Sequence, residues 1–582
     1  MKNYKKVYAA FILAGGLILH GCNGIFDDLA INPNQPSMGA YFTSPSAVND
    51  AVMTMYGYMS TQRCLGASGS KTTIIRSDEA SSNSDYGKPG MFGADLNASY
   101  YTIEQPYTLM YTTASQASYI IETAPSVDFS GNEELRNAYM GEAYFWRAFA
   151  HYYLLINFRN ISPIRQMPRN GDDYVRPLEK PAAVWDFIQE DLAHAKELLP
   201  VKGYWDSKNA GRVTKASAAA LLGKAYLYRS GIEQYYGEDK TTFYSEAAKE
   251  FGDVIDGKYG TYDLTKNYAD NFDVAHENNE ESILEFQFLG DVDNAGFNPG
   301  LATSGLAFDS RGLMLPGAGV GYEGVVHNWL YNAFVNSVDK DGYTDIRMFS
   351  TMIFNDLDAS IHLRNDADGN PVRLEGPGGY KWEELYPAKN GKEGFATVSN
   401  PLAHSFKAGI RKGIDCSMPT QTEADGTPKL VGVGAGVKEY VYNQPRAHGV
   451  NWRYIRYADV LMMYAESVVS GGTPASNMTP LQAVNKVRGR ANMSELPSVT
   501  MADIQNERIL EFALEGHRFY DLLRWGKLAS RFTELQESDP NFKKFISADD
   551  FKGFVTNKHE WLPIPINEVN SNPYITENNP GY

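Results

Sequence analysis

Helical periodicity fills both ends of this chain and is missing from its middle, and this arrangement limits the possible folds more than any other feature. The clearest helical stretch runs from Glu133 to Phe158. Leu135, Tyr139, Ala143, Trp146, Ala150, Tyr153 and Leu154 recur on one face, with small residues between large rings, as close helix packing requires. Ser44-Pro45 supplies an N-cap and a first helical residue ahead of Val48, Val52, Met55 and Met59. Further helices are predicted over Pro181–Leu199, Lys215–Ser230 and Thr242–Ile255. Across residues 259–451 the period fades, Gly, Asn, Asp and Pro clusters multiply, and short strand-like runs such as Ser282–Phe288 are interspersed. Helices return over Trp452–Val469, Thr479–Arg490 and Ala502–Leu535, before an extended end from Leu562-Pro563-Ile564-Pro565 to Tyr582. The expectation is a mainly α protein: a helical scaffold at 44–258, a loop-rich insert lobe at 259–451 and a second helical region at 452–582. Long irregular segments in a large protein are commonly binding surface.

Two of these helices resemble the halves of a tetratricopeptide repeat. Leu222-Gly223 with Tyr226 lies on one, and Tyr244, Ala247 and Phe251 lie on the other. Gly223 and Ala247 would be the small residues where the two helices touch.

The N-terminus reads as an address. Lys2, Lys5 and Lys6 precede an apolar run, Val7–Leu19, that is too short to span a bilayer. It ends in Leu19-His20-Gly21-Cys22, which resembles the bacterial lipoprotein box. The resemblance implies that residues 1–21 are removed and that Cys22 carries the acyl chains, with residues 22–43 as a tether. Several acyl chains anchor stably where one does not. Asp27-Asp28 behind the cysteine resembles the surface-export signal of Bacteroidota lipoproteins. Besides Cys22 there are only Cys64 and Cys416, too few for a disulfide framework, and they are read as isolated thiols.

A net charge of -17 argues against a nucleic-acid partner, which needs a basic footprint. Several reactive motifs are missing or misplaced. No HExxH or GxSxG occurs, Gly66–Thr72 lacks P-loop spacing, and Gly319–Gly324 matches GxGxxG without a preceding strand. With 70 acidic residues, a pair of hydrolytic carboxylates stays open. Thirty-eight tyrosines suit another task, because a Tyr ring lends an apolar face while its hydroxyl stays hydrated.

An ordered series of motifs resembles the SusD/RagB family of outer-membrane glycan-binding lipoproteins. The series begins with Ser77-Asp78-Glu79, Arg147-Ala148 with Tyr152, Pro163-Ile164 and Thr214-Lys215 through Tyr226. It continues with Arg456-Tyr457-Ala458-Asp459 and Glu466, then Glu507-Arg508 with Glu511-Phe512. It closes with Glu515-Gly516-His517-Arg518-Phe519-Tyr520-Asp521 through Gly526 and with Leu562-Pro563-Ile564-Pro565. Charges on largely apolar helices are tolerated only when paired, so Arg456, Asp459, Glu466, Glu515, Arg518 and Asp521 are read as scaffold ion pairs, the last three at i,i+3 spacing.

The resemblance implies non-catalytic capture of oligo- or polysaccharide at the outer face of the outer membrane. It also implies delivery to a SusC-like TonB-dependent transporter, with no cofactor and no metal. Sugar rings need flat aromatic platforms flanked by amides and carboxylates. Asn83, Asp85, Tyr86, Phe92, Asn97, Tyr100 and Tyr101 form one such loop region, and Phe297, Phe308, Tyr322 and Trp329 form a second. The alternatives are capture of peptides, as in relatives resembling RagB, and a glycoside hydrolase on a helical scaffold.

Overall fold

The computed structural model describes residues 42–66, 73–82, 96–169, 171–288, 308–309, 323–354, 359–365, 407–412, 430–433, 437–440, 447–448, 450–539 and 554–582. Cys22 and Cys416 lie outside them, and Cys64 is a buried thiol.

The chain opens on α1 (Pro45–Ser60), whose N-cap Ser44 accepts a bond from the Ala47 amide. A short π-turn at Gln62–Gly66, β1 (Ala80–Ser82), α2 (Tyr101–Thr123) and α3 (Glu133–Phe158) follow. Asn132 caps α3, and Glu133 and Glu134 sit favourably in its positive first turn. Next come α4 (Pro181–Leu198), α5 (Lys215–Tyr236) and α6 (Tyr244–Ile255). A Thr214–Ser217 capping box sets the start of α5. Each of these six helices packs on the next, so the run is a stack of helix pairs. Gly223 of α5 meets Phe251 of α6 so closely that a Cβ there would stand 2.8 Å from the ring.

The middle of the chain contributes short strands. These are β2 (Ser282–Phe286), β3 (Phe308–Asp309) and β4 (Glu323–Val326), then β5 (Met352–Phe354), β6 (Ala408–Ile410), β7 (Leu430–Val433), β8 (Val437–Tyr440) and β9 (Ala447–His448). Helices α7 (Asn328–Val335) and α8 (Arg347–Thr351) lie among them. One antiparallel sheet has the order β1-β4-β6-β5, so the first strand of the chain is completed by strands from the insert. After β10 (Trp452–Arg456) come α9 (Tyr457–Val469), α10 (Pro480–Arg490), α11 (Met501–Glu511), α12 (Arg518–Arg524), α13 (Leu528–Ser538) and α14 (Ile566–Ser571). Helix α6 packs on α9 and α9 on α10, which continues the stack across the insert. One apolar core runs from Phe42 to Ile575.

Four expectations are corrected. Tyr101, read as part of a loop region, instead opens a helix, Tyr101–Thr123, whose period Pro106 disguises. The segment Trp452–Val469 is a strand followed by a helix, because Trp452–Arg456 pairs antiparallel with Ser282–Phe286. Helix α5 continues past Ser230 because Gly231 is a close-approach residue, with a Cβ there only 2.5 Å from the Arg524 carbonyl. Ala502–Leu535 is three helices, broken first where Leu514 and Gly516 take positive φ and again at Gly526, which does the same.

Candidate functional site

The turn entering β1 is wholly buried and polar. The two oxygens of Asp78 accept bonds from Arg518, Nε at 2.9 Å and Nη2 at 3.0 Å, and Arg531 Nε adds a third at 2.6 Å. These two guanidinium groups hold the Asp78 carboxyl below its usual range against the opposing effect of burial. Its neighbour Glu79 goes the other way: burial, then the Asp78 charge, push it up to about 8. It is therefore protonated at neutral pH. One oxygen accepts from the Leu514 amide at 3.1 Å, and the other faces the Ser77 hydroxyl at 3.3 Å. The Glu79 carbonyl accepts from the His327 amide at 2.9 Å, and the His327 ring meets the Ser81 hydroxyl at 2.7 Å. Burial lowers His327 to about 4, so the ring is neutral.

Trp329 belongs to this foundation. Its indole N–H donates to the Asp78 carbonyl, and the Arg531 and Arg518 guanidinium groups lie 4.2 and 5.5 Å from its ring centroid. The sequence reading offered this ring as a sugar platform. The structure places it half-buried in α7 and commits it to the ion cluster beneath the sheet.

Strand β1 ends at Ser82 and β4 begins at Glu323, and these two residues are register partners. The segment carrying Asn83, Asp85, Tyr86 and Phe92 leaves the sheet at Ser82. The segment ending in Tyr322 enters it at Glu323. Those five residues and Phe297 lie outside the described residues; Ser82 and Glu323, next to Asn83 and Tyr322, share one end of one sheet. Phe308 is described in its backbone, opposite His448 in the β3–β9 pair.

At the far end of the first segment the structure brings Asn97, Tyr100 and Tyr101 together. The Asn97 side-chain oxygen accepts from the Ser99 amide at 2.9 Å, and its carbonyl accepts from the Tyr100 amide at 3.2 Å. The Tyr100 and Tyr101 rings are 5.5 Å apart. Asn97 is exposed, Tyr101 is 40% exposed, and Tyr100 is half-buried against the core. The Ile566 amide pins this turn by donating to the Ala98 carbonyl at 2.8 Å.

The scaffold charges are paired as expected, but across the fold. Glu515 meets Arg456 and Lys412, Arg518 meets Asp78, and Asp521 meets Arg508 and Arg524. The i,i+3 pairing anticipated within Glu515, Arg518 and Asp521 is not what forms, because all three are buried and each faces a different neighbour. Arg147 binds Asp191 in a two-pronged pair, and His151 links the Arg147 carbonyl to the Ile164 amide. Among the described residues no cluster of His, Cys, Asp or Glu is arranged to hold a metal, and no helix is long and apolar enough to cross a membrane.

Comparison with known proteins matches residues 31–227 to a family described as starch-binding associating with outer membrane, and residues 421–582 to the SusD family. The chain belongs to the SusD/RagB family. A SusD-like protein of Bacteroides ovatus is 25% identical over 533 residues, covering 90% of this chain and 83% of that one. The structure of a SusD superfamily protein from Bacteroides vulgatus superimposes with a TM-score of 0.67 at 23% identity, covering 93% of this chain and 100% of that one. Surface glycan-binding protein A from Bacteroides thetaiotaomicron, in complex with laminarihexaose, gives 0.65 at 18% identity, covering 92% and 100%. The SusD/RagB motifs thus have a physical meaning in this chain. Ser77-Asp78-Glu79 and the Arg518 helix lie at opposite ends of the sequence and lock together under the sheet that carries the loops.

Proposed function

We propose that this protein holds glycan at the outer face of the outer membrane, anchored through Cys22, and passes it intact to a SusC-like TonB-dependent transporter. The observation that carries this reading is the antiparallel pairing of Ser82 with Glu323, the strand residues next to Asn83 and Tyr322, on a strand whose entering turn is held by the Asp78–Arg518–Arg531 ion cluster. Asn83, Asp85, Tyr86, Phe92 and Tyr322, with Asn97 and Tyr100 where the first segment ends, are the proposed ligand set. The rings take the apolar sugar faces and the amides and carboxylate take the hydroxyls. The laminarihexaose complex of a structural neighbour and the outer-membrane description of the matched family support the ligand class and location.

Glu79 has the raised ionisation of a general acid, yet it is 1% exposed with its oxygens turned to Leu514 and Ser77. A glycosidic oxygen has no path to it, which favours holding over cutting at this site.

The test is affinity electrophoresis of the full chain in neutral polysaccharide gels, with calorimetry on oligosaccharides and on peptides. Retardation by glycan, weakened about tenfold in Tyr86→Ala with an unchanged Tm, is the expected result. Release of reducing ends from the glycan, or heat of binding from peptides alone, overturns the reading.

A further inference from the structure

A recess lies in the helical scaffold, built by elements that take no part in the β1-β4-β6-β5 sheet. It is an open cleft of about 440 Å³ between the first turns of α3, the end of α4 and the start of α5. That falls within the roughly 300–1,000 Å³ of small-ligand sites. Val201, 47% exposed, and Tyr204 offer it apolar surface over the buried Leu199, while Glu134, Asn137 and Lys215 add polar groups.

The segment that carries Tyr204 is held at every turn. The Lys202 amide donates to the Tyr259 carbonyl at 3.1 Å, and the Lys215 amide to the Pro200 carbonyl at 2.7 Å. Gly203 takes φ +94°, which few other residues adopt, and Tyr204 follows it directly. Behind Tyr204 stands Trp205, edge-on at 4.9 Å, with its indole N–H donating to the Val213 carbonyl at 3.3 Å. The Arg212 guanidinium lies 4.2 Å from the Trp205 ring centroid and is fixed in turn by a two-pronged pair with Glu142. Such a ring costs little further entropy when a ligand stacks on it. Burial first and the Glu134 charge second raise the Tyr204 phenol, so ring and carboxylate share one neighbourhood.

The chemistry narrows the ligand. Two acidic residues, Glu134 and Glu197, and one basic residue, Lys215, line the cleft, and the Lys215 Nζ donates to the Glu197 carbonyl at 3.3 Å. This negative balance repels uronic acids and sulfated sugars. A neutral ring suits it, with an apolar face on Tyr204 and Val201 and hydroxyls toward Asn137 and Glu134.

We propose that this cleft is a second carbohydrate subsite, taking on the order of one or two rings of a neutral oligosaccharide. The proposal rests on glycan being the ligand of the protein. Two sites on one chain raise the retention of a polysaccharide that engages both, without a new contact at the first.

The experiment titrates laminarihexaose and maltohexaose, with trigalacturonic acid as the acidic control, into the full chain by calorimetry. Wild type is compared with Tyr204→Ala and Asn137→Ala, and all three are followed by saturation-transfer NMR and thermal melting. Wild type shows two binding events. Both variants lose the weaker one, retain the tighter one, keep their Tm and are retarded about tenfold less by polysaccharide gels. Binding in both variants identical to wild type removes the subsite while leaving the glycan reading intact. Equal occupation of the weaker site by trigalacturonic acid also overturns it. A wild type that binds neither neutral hexasaccharide ends both readings together.

Discussion

Asp78 and Glu79 are consecutive carboxylates with opposite charge states, and the difference lies in their partners. Two arginines neutralise Asp78, and among the described residues no cation is ion-paired with Glu79, which keeps its proton. Asp78→Ala strands the buried Arg518 and leaves Arg531 only its pair with the exposed Glu534, and it costs about 3–5 kcal/mol, measured by urea unfolding. Glu79→Gln tests the proton itself. The folded value is about 8 and the ordinary value 4.5, so from about pH 4.5 to 8 the unfolded chain has released a proton that the native state keeps. The Glu79 contribution is thus fully present below pH 4.5 and is lost as pH rises through 8. The glutamine amide keeps both contacts without titrating. The Tm of Glu79→Gln minus that of wild type therefore grows from pH 4.5 to 8 and then levels, and parallel curves would refute the assignment.

At the scale of elements, packing decides what local propensity leaves open. Helices α5 and α6 approach through Gly223, and a larger residue there enters the space of Phe251. Gly223→Leu should cost at least about 1–3 kcal/mol in urea unfolding, more than its gain in helix propensity returns. The β1–β4 pair shows a different dependence. Both strands are very short, and neither Ala80–Ser82 nor Glu323–Val326 is stable without the ion cluster and the β6 partner behind it. The strand ends that flank the proposed glycan segments therefore depend on residues far away in sequence.

Across the whole molecule, buried charge and the C-terminal segment tie the ends to the middle. Arg347, Arg456, Arg488, Arg490 and Lys412 face Asp345, Glu281, Glu507, Glu511 and Glu515, so cations and carboxylates match one for one. Arg490 and Arg456 hold Glu281, and Arg456 and Lys412 hold Glu515, at about 2 despite burial. Their contribution is present above about pH 4.5 and is lost as pH falls toward 2. The final segment acts as a strap. Arg76 donates to the His559 and Glu560 carbonyls, the Leu562 amide to the Asn157 carbonyl, and Asn579 to the Phe158 and Leu562 carbonyls. Removing residues 559–582 exposes the groups bound by it and deletes buried Trp561, Leu562, Ile564 and Ile575. At about 1.5–3 kcal/mol for each large apolar side chain, the loss is about 6 kcal/mol or more, read as a drop in Tm of the whole unfolding transition.

Periodicity and caps are local properties, so the residues themselves determined most of the helices. Glu133–Phe158 begins and ends in the structure where its pattern does, and Ser44, Thr214 and Thr479 cap helices as their side chains dictate. Motif order was equally legible and pointed to the family. What sequence could not settle is which side chain meets which. Trp329 reads as an exposed platform because nothing nearby in sequence reveals that Arg518 and Arg531 will arrive beside it. Tyr204 passed unnoticed because its cleft exists only once three helices converge. Trp452–Arg456 reads as helix until Ser282–Phe286 supplies a strand partner. The free energy of a buried charge, a paired strand or an enclosed ring depends on groups hundreds of residues away, and only the tertiary structure brings those groups into contact.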